Sequence, residues 1–440
     1  MQKQIIKIII VLTCAFKLLT AHASNFASLE QSAALMGQAN AGTTVADDPS
    51  VQFYNPAAMS FFSETQLGIS GILVSPNLQF FPVFASNYRG IGITGDRNNL
   101  EHSVIVPSFY LIRPVNDRVA VGLGVEIPFG LLTEYDNTSL ARYFATRSSV
   151  NVININPSIS YKINDKLAIG VGFDAQYLTA ELDQVFNFTS LIPPILPLQT
   201  TDVTLINRVN GWGFGWNGGI YVQPSPNTKF GFGYHSRVTY NPSGSSTPIG
   251  LVPSFFNGVI ANQAGLAASS INTKLTLPDF MAFSAEQSVT SKWKVMADVA
   301  YVNWSTIKKI VLNFNNPIGK GLSPQTIDTQ YNNSWRVAVG QLYQATQKFA
   351  IRAGLAWDQS PVVNTHREPR VPDNDRYWVT VGTHINVTKK TTLDLSYAHI
   401  IFKDATVNQS FVTPVGVPAL QANYRGNADL FGAQINFAFS

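Results

Sequence analysis

The stretch LAIGVGFDAQY at residues 167–177 decides the fold class. Leu167, Ile169, Val171, Phe173, Ala175 and Tyr177 fall on one face of an extended chain. Ala168, Gly170, Gly172, Asp174 and Gln176 fall on the other. A period of two is the repeat of a β-strand, whose successive side chains point to opposite faces. The same alternation returns at residues 351–358 and in the last segment. There Phe431, Ala433, Ile435, Phe437 and Phe439 alternate with Gly432, Gln434, Asn436, Ala438 and Ser440. A half-buried sandwich strand would alternate too. Here the second face is rich in Gly, Ala, Ser and Asn, and aromatics gather near segment ends. That suits a wall with lipid on one side, a lumen on the other, and aromatic girdles.

Working outward, about fourteen such segments can be read between residues 65 and 439, the even number expected of an antiparallel outer-membrane barrel. They include residues 65–75, 272–289, 292–314 and 425–439. Six connections are tight, around residues 115–117, 164–165, 224–227, 290–291, 345–347 and 388–390. Most carry Asn, Asp, Pro or Ser, the residues of turns. The other connections are long, and short and long alternate strictly. Hairpins of a membrane barrel do this, with short periplasmic turns and longer outer loops.

Composition agrees. Charged residues make up 13% of the chain and aromatics 12%, and a soluble globular chain carries roughly 25% charged residues. Past the N-terminus there is no run of ~18 apolar residues, as a spanning helix needs. Residues 1–23 read as an export signal. Lys3 and Lys7 precede the apolar residues 8–16, and Ala21-His22-Ala23 fits small-x-small cleavage. A lipoprotein signal ending at Cys14 is the alternative, poorly matched by Val11, Leu12 and Thr13. Cleavage after Ala23 removes Cys14, the only cysteine among the 440 residues. Disulfides and thiolate metal sites are then not expected. It also removes Lys3, Lys7 and Lys17, so the 30 basic residues fall to 27 against 26 acidic. Such a balance offers no field for nucleic acid.

Residues 24–64 precede the first strand. They hold a helix-like piece at 26–36, a small-residue stretch at 37–46, Asp47-Asp48, and Asn55-Pro56-Ala57. Weak alternation ahead of a barrel (residues 65–440) reads as a plug in the lumen or as a periplasmic extension. Two long connections are apolar. One includes Ile192, Ile195 and Leu196. The other carries Phe255, Phe256, Val259 and Ile260 at helical spacing. Exposed apolar loops mark an interaction site, here a groove for a hydrophobic ligand, or they pack on each other and close the barrel. Pro128 cannot donate a ladder hydrogen bond, and Gly130 weakens a strand. A bulge there, or a strand end, are both open.

No G-x-S-x-G, H-E-x-x-H or ligand cluster appears, and His102, His235, His366, His384 and His399 stand singly. No catalysis, metal or cofactor is expected. Asp373, Asp375 and Arg376 read as a salt-bridge knot anchoring a loop. Trp304, Trp335 and Trp378 read as an interface girdle.

Four motifs carry a family resemblance. DD at 47–48 with NPA at 55–57, PFGL at 128–131, GWGFGWNGG at 211–219, and RAGLAWDQSP at 352–361 with VPDNDRYW at 371–378 resemble signatures of the FadL family of outer-membrane hydrophobe transporters. They span Ala39 to Phe439. The resemblance implies an all-β, fourteen-stranded monomeric barrel among outer-membrane lipids and lipopolysaccharide, plugged by an N-terminal hatch. It implies passive uptake of long-chain fatty acids or similar compounds. Capture would occur in an outer-loop groove, then in a deeper pocket formed with Ser24, Asn25 and Phe26. Exit would be lateral, at a kink in the third strand involving Pro128, Phe129 and Gly130, with Asn55, Pro56 and Ala57 facing the opening. Fatty-acid members carry basic residues where this chain has Gln184 and Asn332, which weakens capture of a carboxylate. Aromatic hydrocarbons, or a structural or adhesive barrel, are the alternatives.

Overall fold

The alternating segments become strands because each can give its apolar set to one side and its small polar set to the other. In the computed structural model, residues 26–28, 30–97, 99–187, 202–250, 268–315, 325–412 and 416–439 are described. Fourteen strands build the wall: β1 Thr65–Ser86, β2 Val104–Pro114, β3 Val119–Glu134, β4 Arg147–Asn164, β5 Leu167–Asn187, β6 Asp202–Ser225, β7 Thr228–His235, β8 Phe280–Ser288, β9 Trp293–Val302, β10 Ser334–Gln344, β11 Phe349–Asp358, β12 Arg376–Asn386, β13 Thr391–Phe402 and β14 Ala419–Phe439. Each pairs antiparallel with its neighbour. β1 closes the cylinder on β14, from Thr65↔Phe439 to Ser86↔Ala419. A closed sheet has no edge and satisfies its backbone internally, as a spanning structure must. Among the described residues no helix is long and apolar enough to cross a membrane.

The short connections lie where the turn residues place them. Several strand bounds differ from the expected ones. β1 runs past Pro76 and Pro82 to Ser86, because β14 pairs with it throughout, and a register shift between Pro82 and Phe84 absorbs the second proline. The segment expected at 292–314 is broken. β9 ends at Val302, and the 3-10 turn Trp304–Thr306 carries the chain inward. The one expected at 272–289 is broken too: Ser269–Asn272 pairs with Ser243–Ile249, Leu275–Leu277 pairs with Val238–Tyr240, and the chain rejoins the wall at Phe280.

Residues 30–60 are almost wholly buried against the inner wall. The helix expected over 26–36 shrinks to α1, Ala33–Met36, because residues 26–28 are extended against β3. α1 is capped by Ser32, whose hydroxyl also donates to Gln434 Oε1 at 2.8 Å. Arg336 donates to the Ala39 carbonyl at 2.7 Å and Arg352 to Gln38 Oε1 at 2.7 Å. Thr43 Oγ1 donates to Asp298 at 2.7 Å, and Gln52 Nε2 to Asn156 Oδ1 at 2.7 Å. Asp48 accepts from Ser50 N and Gln434, and Asp47 pairs with Lys229 and Lys294. Glycines let this segment lie close. A Cβ at Gly233 would run into the Tyr54 carbonyl, and one at Gly354 into the backbone of Gln38.

Candidate functional site

The wall is interrupted at β3. On the β4 side its register shifts between Glu126 and Phe129, one extra residue forming a bulge around Ile127-Pro128. On the β2 side, pairing runs from Pro114↔Ala120 to Phe109↔Val125 and goes no further among the described residues. Past Val125 the β3 edge would expose unpaired backbone groups to an apolar surround, a costly state.

The N-terminal segment takes the place of the missing strand. Ala27 bridges Phe129, flanked by Ser28 N donating to the Pro128 carbonyl and Gly130 N donating to the Phe26 carbonyl, both at 2.8 Å. Gln31 satisfies the bulge itself. Its Nε2 donates to the Ile127 carbonyl at 2.6 Å, and its Oε1 accepts from Ile127 N at 3.2 Å and Ser108 Oγ at 3.0 Å. A side-chain amide presents the same donor–acceptor pair as a peptide, so it stands in for one. Tyr110 Oη anchors the Gln31 carbonyl at 3.1 Å.

Beside this seam lies an aromatic group. The Phe26 ring meets Trp304 edge-on at 4.6 Å and Phe129 at 6.3 Å. Trp304 and Phe129 are buried. An apolar cavity of about 60 Å³ opens from Phe26 toward the long-loop end, along Leu131, Val150, Leu178, Leu312 and Val371. A second, of about 90 Å³, shares Leu131 and Val371 and reaches Leu78, Leu100 and Phe402. It lies where β3 has no β2 partner. Towards the short-turn end a third cavity, about 320 Å³, is lined instead by Asp47, Glu286, Lys294, Arg352 and Lys390.

The apolar cavity has one cationic wall. Arg370, in the connection between β11 and β12, donates to Ser148 Oγ at 3.1 Å, the Asp183 carbonyl at 3.2 Å and Gln184 Oε1 at 2.6 Å. Burial pushes the nearby Glu368 carboxyl up to about 7, against the pull of Arg370. The connection is held by Asp373, which pairs with Arg376 at 2.9 Å and accepts from Ser360 Oγ at 2.6 Å.

Of the residues singled out from sequence, the structure brings together Phe26, Pro128, Phe129 and Gly130. Asn55, Pro56 and Ala57 lie elsewhere. Asn55 donates to the Ile220 carbonyl at 3.0 Å, and Ala57 approaches Gly170, so this element sits on β5 and β6 rather than beside Phe129. Ser24, Asn25, Ile192, Ile195, Leu196, Phe255, Phe256, Val259 and Ile260 lie outside the described residues. The girdle reading fits exposed Trp335 but not Trp304 or Trp378, which are buried inside; Arg336 lies over the Trp378 ring at 5.4 Å. Trp378 alternates with exposed Tyr377 and Val379, so strand parity points it inward. Gln31 and Arg370 are not among the residues the sequence singles out, and Trp304, read as a girdle residue, stands inside beside Phe26. Among the described residues no cluster of side chains suited to a metal appears.

The sequence matches the family profile described as "Outer membrane protein transport protein (OMPP1/FadL/TodX)" over residues 15–439. Outer membrane protein P1 of Haemophilus influenzae is 28% identical over 458 residues, covering 95% of this chain and 96% of that protein. The long-chain fatty acid transport protein of Salmonella typhi is 26% identical over 430 residues, covering 95% of each. The crystal structure of a Pseudomonas aeruginosa FadL homologue superposes with a TM-score of 0.86 at 22% identity, covering 94% of this chain and 100% of that one. The Pseudomonas putida toluene transporter TodX gives 0.70 at 15% identity, covering 95% and 100%.

Proposed function

This chain belongs to the OMPP1/FadL/TodX family of outer membrane transport proteins, and on that premise we propose that it takes up long-chain fatty acids or similar hydrophobic compounds passively and releases them sideways between β2 and β3. One observation carries the reading: the β3 edge past Val125 is covered by residues 26–28 and the Gln31 side chain rather than by a strand of the wall. Apolar cavities reach that edge from the long-loop end. The third cavity is lined by ion pairs and lysines, a poor medium for an alkyl chain.

Physical chemistry supports capture without an energy source. Each buried methylene contributes ~0.8 kcal/mol, so a long chain gains affinity from an apolar lining alone. Withdrawal of Phe26 and Gln31 would join the cavity to the bilayer, where the same chain is equally at home. In this reading residues 24–64 act as a plug, residues 1–23 as the export signal, and the barrel works as a monomer among outer-membrane lipids and lipopolysaccharide.

The test is uptake of labelled oleate by cells carrying Gly130→Trp. Gly130 alternates with the inward Phe129 and Leu131, so a bulky ring at this position stands on the outer face of the seam, over the backbone that binds Phe26. Uptake is expected to fall to the level of cells lacking the protein while the barrel still assembles. Normal uptake would rule out a route past Gly130.

A further inference from the structure

We propose that Arg370 selects carboxylate-headed amphiphiles, docking the acid at the outer part of the apolar cavity with the alkyl chain directed toward Phe26 and Phe129. This deepens the transport reading above and rests on it.

Arg370 is 4% exposed, and it lines a cavity otherwise walled mostly by Leu, Ile and Val. A guanidinium offers five N–H donors in a planar fork. Its three partners here, Ser148 Oγ, the Asp183 carbonyl and Gln184 Oε1, are all neutral acceptors bound through Nη1 and Nη2. The Nε edge has no hydrogen bond among the described residues. The nearest carboxylate oxygen to it, Glu368 Oε2, is 4.0 Å away, beyond hydrogen-bond reach. A buried cation whose hydrogen bonds all go to neutral dipoles, with its one ion-pair partner, Glu368, only at the 4.0 Å limit, keeps charge-assisted hydrogen-bonding capacity in reserve. An incoming carboxylate meets a preset fork and forms charge-assisted bonds, which are the strong kind. Gln184, itself shared with Gln325 Nε2 at 2.6 Å, keeps the guanidinium plane fixed.

The position also sets the ligand's direction. Ser148, which Arg370 binds, is four residues outward along β4 from Val152, the partner of Phe129. At strand rise that is about 13 Å. An acid bound at Arg370 therefore lays its chain along Val150 and Leu178 and presents its tail to the seam between Phe26 and β3. A neutral hydrocarbon would enter the same cavity without this anchor. Glu368 repels an incoming carboxylate, so it tunes the preference downward.

The test uses the purified full chain in detergent at mildly alkaline pH, with oleate and oleyl alcohol competing against a fluorescent hydrocarbon. The readout is the ratio of the two Kd values. In Arg370→Gln the preference for the acid over the alcohol is expected to fall roughly ten- to a hundredfold. In Glu368→Gln it is expected to rise. Opposite signs at neighbouring positions are not a consequence of general loosening. A ratio unchanged in Arg370→Gln, or one that falls in both variants, would overturn the assignment while leaving the transport reading intact. A wild-type protein that binds neither compound would overturn both.

Discussion

A disulfide between Ala27→Cys and Phe129→Cys is expected to abolish hydrophobe uptake in oxidised cells, and a reductant to restore it. The two residues form a non-hydrogen-bonded antiparallel pair, since the flanking bonds run from Ser28 N to Pro128 O and from Phe26 O to Gly130 N. Such pairs bring Cα atoms to ~4.5 Å, within the range a disulfide spans. The only natural cysteine is Cys14, and a Cys14→Ser background leaves no other thiol to compete. The lock leaves the wall's strand pairing alone and fixes only the segment that covers the β3 edge. The reduced protein is its own control for the loss of the Phe129 ring. Equal uptake in oxidised and reduced cells, with the bond verified by mass spectrometry, would mean that residues 26–28 do not have to move.

The second large effect concerns the seating of residues 30–60. Gly233→Val with Gly354→Val is expected to turn a tight barrel into one that conducts ions in a planar bilayer. Both glycines lie on the inner wall, and an added Cβ would collide with backbone, the Tyr54 carbonyl and Gln38 respectively. A side-chain rotamer cannot relieve such a contact, and overpacking typically costs about 1–3 kcal/mol per site. Valine suits a strand, so circular dichroism should remain that of the barrel. Residues 30–60 then have to lift, opening polar lumen walls to water. A β-rich variant that conducts no more than wild type would show that the segment is not what seals the lumen.

The wall was legible because two independent signals coincide. Residues 167–177 and 431–439 alternate with period two, and Asn, Asp, Pro or Ser mark most of the short connections. What escaped was whatever depends on partners far away in sequence. Gln31 is a lone amide whose role exists only because Ile127 sits opposite it. Trp304 lies in a run that reads as continuous strand, and nothing local announces that Asn303 ends the wall and turns the indole inward. Trp378 was decidable, because its neighbours Tyr377 and Val379 fix its parity. Arg370 carried a weaker signal. It opens the charged run RVPDNDR at 370–376 in a chain with 13% charged residues, yet its contact with Gln184 spans 186 positions. The cation absent at Gln184 and Asn332 is supplied instead by another element, the connection between β11 and β12. The Asn55-Pro56-Ala57 element was recognised as a unit but placed too near Phe129. Its seat on β5 and β6 follows from the closeness that Gly170 and Gly219 permit.

The direct test of sideways release is photo-crosslinking of a diazirine-bearing fatty acid, with the reactive group at the chain terminus, in intact outer membranes. Adducts are expected on Phe26, Phe129, Leu131 and Leu132, and on the lipid-facing residue Ile105 of β2. Adducts on Asp47, Lys294 or Lys390, the lining of the cavity at the short-turn end, with none along the β3 edge, would contradict it.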